Sequence, residues 1–425
     1  MTRSEPSIVP LLRCPDCDLQ QTEPRLVSGT AAHCSRCGTA LSGERTESLT
    51  RALSLTVAAA IAFLVANSYV FMTFEYQGRS ESSYILTGIL ELYRGGFPLL
   101  AVLIGVTSVL APAVYLAGML YVLVPLELGR RPPLLGPCFR WLRRLRRWAM
   151  LEVYLLGVIV AVVKLGQLAS VSADIGVYAF AFLVLAWTAA NDALDPRIVW
   201  AAIEPQRGVG PDAATDARRL LPCGDCAQLC SVPPDAMTGL CCSRCGSALT
   251  RRKADSIHRT WALLIAAAIL YVPANYYPVL EITILGQSEA DTILTGVEEL
   301  FAAGMWEIGA LVFFASITVP LLKLLGLAFL LISVELRSSR GLGRRTSIYR
   351  IVEYIGRWSM LDMFMVSILV ALVQLGTVAT IAPGIGAPCF AAVVVITMFA
   401  ATSFDPRVIW DRAGENPGAR QGVMS

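Results

Sequence analysis

Between Gly95 and Leu126 the chain runs for thirty-two residues without one charged side chain. At 1.5 Å per residue that is about 48 Å of helix, while the hydrocarbon core of a bilayer is ~30 Å thick. Such a segment belongs in lipid. The feature recurs along the chain. Ala52 to Phe74 and Ile175 to Asn191 are uncharged, and Met150 to Ala173 carries only Glu152 and Lys164. Trp261 to Leu280 is uncharged, and Lys323 alone interrupts Ile308 to Val334. Met363 to Phe404 is about twice one span and breaks at Pro383-Gly384-Ile385-Gly386, which reads as a tight turn between two helices. Eight spans are expected. Only 16% of residues are charged and mean hydropathy is +0.60, so lipid rather than water is the solvent for most of the chain. The first fifty residues are polar and Cys-rich and lack the pattern of a signal peptide, so the apolar runs are expected in the mature protein.

The chain repeats itself. Cys34-Ser35-Arg36-Cys37-Gly38 returns as Cys242-Ser243-Arg244-Cys245-Gly246, and Ile85-Leu86-Thr87-Gly88 returns as Ile293-Leu294-Thr295-Gly296. Pro112 matches Pro320, Arg147-Trp148 matches Arg357-Trp358, and Asp195-Pro196-Arg197 matches Asp405-Pro406-Arg407. An offset held at 208 to 210 over two hundred residues means duplication. With four spans in each half, both halves share one orientation, as parallel repeats.

Arginine sets that orientation. The loop after the second span holds Arg130, Arg131, Arg140, Arg143, Arg144, Arg146 and Arg147, and its counterpart holds Arg337, Arg340, Arg344, Arg345, Arg350 and Arg357. The opposite loops are poor in positive charge, and Glu281, Glu289, Asp291, Glu298 and Glu299 make one of them acidic. The positive-inside rule places both termini in the cytoplasm.

Cys14-x-x-Cys17 with Cys34-x-x-Cys37, and Cys223-x-x-Cys226 with Cys242-x-x-Cys245, read as two ribbons with four-thiolate sites. Zinc is the expected metal, with iron as an alternative, and a closed four-ligand site is structural. Paired disulfides are the competing reading, disfavoured in a reducing compartment. Cys138, Cys230, Cys241 and Cys389 fall outside the pattern.

Polar groups inside the spans are the other candidates, because charge in the bilayer is costly and faces a bundle interior or wet cavity. Lys164 stands midway along the third span, with Gln374 at the equivalent position of the second half. Lys323 stands midway along the sixth span, opposite Tyr115. These residues either line a transport path or tie the bundle together. Glu152 and Asp362 are matched and are expected near the cytosolic ends of their helices, pairing with Arg147 and Arg357. Asn67 and Asn275 are expected to bond between helices, Pro112 and Pro320 to kink theirs, and each Asp-Pro-Arg-x-x-Trp to anchor at the headgroups. No G-x-x-x-x-G-K-[ST] or G-x-S-x-G is present and the only histidines are His33 and His258, so neither ATP hydrolysis nor an enzyme is expected.

The duplicated ribbons, four spans per half, Ala66-Asn67 in the first span and Arg147-Trp148 followed by Met150-Leu151-Glu152 and Val163-Lys164-Leu165 resemble the paraquat-inducible protein A family. The resemblance covers Cys14 to about Trp410. It implies an inner-membrane protein of Gram-negative bacteria that works with an MCE-domain tunnel protein, loading or extracting phospholipid at the inner membrane. It implies a role for Lys164, whereas Gln374 departs from the family pattern and argues against two symmetric sites. The alternatives are an ion-coupled small-molecule transporter and a non-transporting scaffold. The expected fold is an all-α polytopic membrane protein of two parallel repeats. Its expected parts are a ribbon (1–50), four helices (51–203), a linker with the second ribbon (204–256), four more helices (257–411) and a tail (412–425).

Overall fold

The computed structural model describes residues 11–22, 30–43, 48–76, 79–165, 170–204, 220–232, 240–284, 287–372 and 379–414. Two hairpins open the chain: β1 (Leu11–Arg13) with β2 (Gln20–Thr22), and β3 (Ala31–His33) with β4 (Ala40–Gly43). The first half follows with α1 (Ser48–Ser68), β5 (Met72–Tyr76), β6 (Arg79–Ser83) and α2 (Ile85–Arg94). It continues with α3 (Pro98–Glu127), α4 (Leu135–Leu145), α5 (Leu151–Leu165), β7 (Ser170–Ala173), α6 (Ile175–Ala193) and α7 (Pro196–Ile203). The second half repeats the series. It runs from the hairpin of β8 (Leu220–Pro222) and β9 (Leu229–Ser231) to α8 (Ser256–Tyr276), β10 (Leu280–Ile284), β11 (Gln287–Asp291) and α9 (Ile293–Ala302). Then come α10 (Trp306–Glu335), α11 (Leu342–Ile355), α12 (Leu361–Leu372), β12 (Ala379–Pro383), α13 (Gly386–Ser403) and α14 (Arg407–Arg412).

Seven helices among the described residues are long and apolar enough to cross a membrane, one of them running from Leu342 through α12. The eighth expected span is α5, apolar and described over 15 residues. It starts against the middle of a neighbouring helix. Its leading residue Met150 donates its amide to the Thr107 carbonyl at 3.4 Å, nine residues into α3. That is about 14 Å along the helix, close to the middle of a ~30 Å core. Thr107 lies in a π-helical turn, Val106–Leu110, matched by Phe314–Thr318 in α10. Each turn ends two residues before the proline expected to kink its helix, Pro112 or Pro320. Proline has no amide and crowds the carbonyl four residues back, and the wider turn absorbs both effects.

Two expectations change here. The basic segments are not loops: α4 buries Leu135, Phe139 and Leu142 at helical spacing, and α11 buries Leu342, Tyr349 and Val352. The outer segments carry sheets, which an all-helical reading omits. Strands order β6-β5-β7 in one half and β11-β10-β12 in the other, all antiparallel, with Phe74 opposite Glu81 and Val171. Each sheet ties the end of the first span to the strand that follows the third.

Within each half, α1 packs along α6 and α8 along α13. The halves meet where α5 packs on α12, and α12 also packs on α2 of the first half. Small residues permit the close approach. A Cβ at Gly88 would lie 2.7 Å from the Ser367 carbonyl, and one at Gly157 3.0 Å from Phe364.

Candidate metal centres and the cavity between the halves

Each ribbon is built from two identical turns. In all four knuckles the amide four residues after the first cysteine bonds back to that cysteine's carbonyl: Asp18 to Cys14, Gly38 to Cys34, Ala227 to Cys223 and Gly246 to Cys242. All four closing residues have positive φ, between 59° and 71°, which Gly38 and Gly246 adopt freely and Asp18 and Ala227 adopt at some cost. The turns aim the sulfurs at one point. Cys14, Cys17, Cys34 and Cys37 are buried with their Sγ atoms within 4.8 Å of one another, and so are Cys223, Cys226, Cys242 and Cys245. The closest approaches are 3.4 and 3.5 Å in the first cluster and 3.4 and 3.6 Å in the second. Four sulfurs each 2.3 Å from a tetrahedral ion stand about 3.8 Å apart, so both clusters fit a bound metal and neither is a pair of disulfides. The hydrogen bond from Cys17 pulls the Cys14 thiol down to about 4, and that from Cys226 pulls Cys223 down to about 5. Each cluster thus holds a thiol that ionises readily, as metal binding requires. Cys230, which spacing left without a partner, lies 3.7 Å from Cys242.

The ribbons cross over. The first docks on the second half, where Arg350 of α11 donates to the Cys37 carbonyl at 2.6 Å and Arg36 stacks over Trp410, 4.1 Å from the ring centre. The second docks on the first half, where Arg140 of α4 donates to the Cys245 carbonyl at 2.9 Å and Arg244 to the Glu204 carbonyl. Trp200 and Trp410, expected in a headgroup belt, are 1% and 4% exposed. Trp200 packs edge-on against Phe139, and Trp410 donates to Thr346. They are core residues of the docking sites because the ribbons and basic helices cover them.

The intramembrane candidates separate. Lys323 is 1% exposed, with Nζ donating to Thr397 at 2.7 Å and to the Gly356 carbonyl at 3.4 Å. Lys164 lies on α5, and Gln374 lies outside the described residues. Asp362, in the first turn of α12, is 4% exposed. It lines a small cavity, about 40 Å³, with Leu280, Asp291 and Thr292 at the foot of the outer sheet. Glu152 is half-buried in the first turn of α5. Asn67 and Asn275 do not bridge helices; each donates to the carbonyl four residues back, on Phe63 and Tyr271, at 2.8 Å.

A cavity of about 590 Å³ lies between the halves. The first half contributes Tyr115, Arg143, Arg144, Arg146 and Arg147, and the second contributes Lys323, Arg350 and Glu353. Gly224 and Asp225 of the second ribbon close one side, with Asp225 bonded to Arg144 at 2.8 Å. The sequence reading gave these arginines to orientation, and Arg147 also to a pair with Glu152. The apolar period of α4 was the signal that they share a face.

Fold and site together define a duplicated multi-pass membrane protein with two four-cysteine modules capping its helical halves. The chain belongs to the paraquat-inducible protein A family, which matches residues 49–204 and again 257–414. It is similar to "Intermembrane transport protein PqiA" of Escherichia coli K12, 32% identical over 95% of this chain and 96% of that one. It is also similar to "Lipophilic envelope-spanning tunnel protein A" of the same organism, 30% identical over 96% and 92%. "Probable intermembrane transport protein" of Haemophilus influenzae is 28% identical over 94% and 95%. No solved structure gives a significant match.

Proposed function

We propose that this protein is the inner-membrane component of an intermembrane lipid transport system, with both termini in the cytoplasm. It loads or extracts phospholipid and exchanges it with an MCE-domain partner that spans the periplasm. The observation that carries this reading is the cavity between the halves, with Lys323 buried at its wall. A passage for lipid needs an apolar body with a few cations for the headgroup phosphate, and Met119, Met398 and Lys323 supply both kinds of surface. The names of the relatives support transport between membranes and point away from an enzyme.

In this reading Cys14, Cys17, Cys34, Cys37, Cys223, Cys226, Cys242 and Cys245 hold two structural zinc ions, which fix the ribbons that brace α4 and α11. Lys164, Lys323, Glu152, Asp362, Gln374, Asn67 and Asn275 remain the proposed polar path, with Lys323 and Asp362 its best-supported members. The acidic outer segment from Glu281 to Glu299 is the proposed docking surface for the partner. The deciding experiment places the purified protein in nanodiscs with a fluorescent phospholipid and adds the MCE-domain partner. Partner-dependent transfer that Lys323→Met abolishes supports the reading. Proton uptake coupled to a small solute without the partner would favour the ion-coupled transporter. Transfer unchanged in a folded Lys323→Met protein would favour a scaffold.

A further inference from the structure

The cavity between the halves holds more positive charge than a passage for lipid needs. Six cations line it, Arg143, Arg144, Arg146, Arg147, Lys323 and Arg350, against two carboxylates, Asp225 and Glu353. Arg144 is engaged by Asp225, and Arg350 reaches Asp16 of the first ribbon at 3.5 Å. Arg146 and Arg147 have no ion-pair partner among the described residues, and both are exposed residues of the cavity lining. They belong to the turn between α4 and α5, where the chain enters the bundle. With two carboxylates against six cations, the lining carries a net positive charge that attracts anions.

From this geometry we infer that the cavity is a phosphate-binding site, with Arg146 and Arg147 as its principal ligands and Asp225 as a built-in competitor. Guanidinium groups present paired donors that match two phosphate oxygens, and such charge-assisted bonds are short and strong. Asp225 sits between Cys223 and Cys226, so the second ribbon presents a carboxylate to Arg144 and the Asp225 carbonyl to Arg143. An incoming phosphate displaces that carboxylate's hold on the cluster. The phosphate belongs either to a phospholipid headgroup or to a soluble phosphate compound. The inference deepens the lipid reading and rests on it for the first of these sources.

The test is calorimetry on the full-length, metal-loaded protein in detergent with three probes: dihexanoyl-phosphatidylglycerol, dihexanoyl-glycerol and inorganic pyrophosphate. A saturable site for a phosphate-bearing probe is expected, absent for dihexanoyl-glycerol and weakened as salt rises. Arg146→Gln with Arg147→Gln should weaken it ten-fold or more, and Asp225→Asn should strengthen it several-fold. The opposite sign of the two changes separates ligand loss from general damage. Unaltered elution and metal content certify the fold. Phosphatidylglycerol binding well above pyrophosphate supports the site with a lipid source. Equal binding of both supports the site with a soluble source and removes this cavity from the lipid path. Absence of phosphate-dependent binding, or binding indifferent to the double substitution, overturns the inference and leaves the nanodisc transfer assay to judge the lipid reading.

Discussion

The two halves keep one scaffold and differ at its centre. Tyr115 and Trp187 of the first half pack with ring centres 4.6 Å apart and planes tilted by 54°, and the equivalent positions of the second half are Lys323 and Thr397, bonded at 2.7 Å. Position 146 carries arginine beside Tyr115, while its equivalent is Gly356, whose carbonyl accepts from Lys323. The cation has moved from the turn in one half to the spanning helix in the other. Glu152 is half-buried, whereas Asp362 is 4% exposed. Around these differences the π turns, ribbon docking, basic helices and outer sheets all repeat. Duplication therefore preserved the frame and let the polar centre diverge. Any mechanism that treats the halves as equivalent sites contradicts the chemistry they carry.

The largest expected effect breaks the comparison at that centre. Lys323→Met should lower lipid transfer ten-fold or more, while Tyr115→Phe should change it less than two-fold, both measured in the nanodisc assay. Equal losses would mean that the centre works symmetrically.

The ribbons, by contrast, should behave alike. Cys17→Ser or Cys226→Ser should each reduce bound zinc from two equivalents to one, read by metal analysis. Each should also free the opposite half's basic helix for hydrogen exchange, because a structural zinc contributes about 10–16 kcal/mol to such a module. Loss of both metals from one substitution would join the ribbons into a single unit. Acid should strip both sites, since protons compete with the metal for the thiolates as pH falls. The two tryptophans sharpen the same symmetry: Trp200→Ala and Trp410→Ala should each cost about 3–5 kcal/mol, seen as similar drops in thermal midpoint.

The smallest effect concerns the helix-capping aspartate of the second half. Burial pushes the Asp405 carboxyl up, but hydrogen bonds from Arg407 and the Lys253 amide outweigh it and hold the group below its ordinary range. A lowered value in the fold adds stability at neutral pH that is lost as acid protonates the group. Asp405→Asn should therefore lower the thermal midpoint at pH 7, with the gap to the native protein narrowing as pH falls below the ordinary carboxylate range.

Much of this was legible in the residues. Charge-free runs and a constant offset gave the spans and the duplication, because lipid and gene duplication both leave marks in linear sequence. Cysteine spacing gave the metal centres for the same reason, since a knuckle is a local object. The third spans showed as apolar runs, but such runs do not show that the Met150 amide meets the Thr107 carbonyl, a contact between elements distant in sequence. The crossed ribbons were invisible, as nothing local to Arg36 or Arg244 says which half it will cap. Strands such as Met72–Tyr76 hid in the outer loops, being too short to show a period. The phosphate cavity was missed because seven arginines in one segment satisfy the orientation rule, and that explanation stopped the search.

The central claim is that the space between the halves handles phospholipid. The most direct test places p-benzoylphenylalanine at Met119 and at Met398, which face that space from opposite halves, and identifies the crosslinked products by mass spectrometry. The account predicts phospholipid adducts at both positions that fall sharply when Arg146 and Arg147 become glutamine. Crosslinks to protein alone, from a folded and zinc-loaded sample, would contradict it.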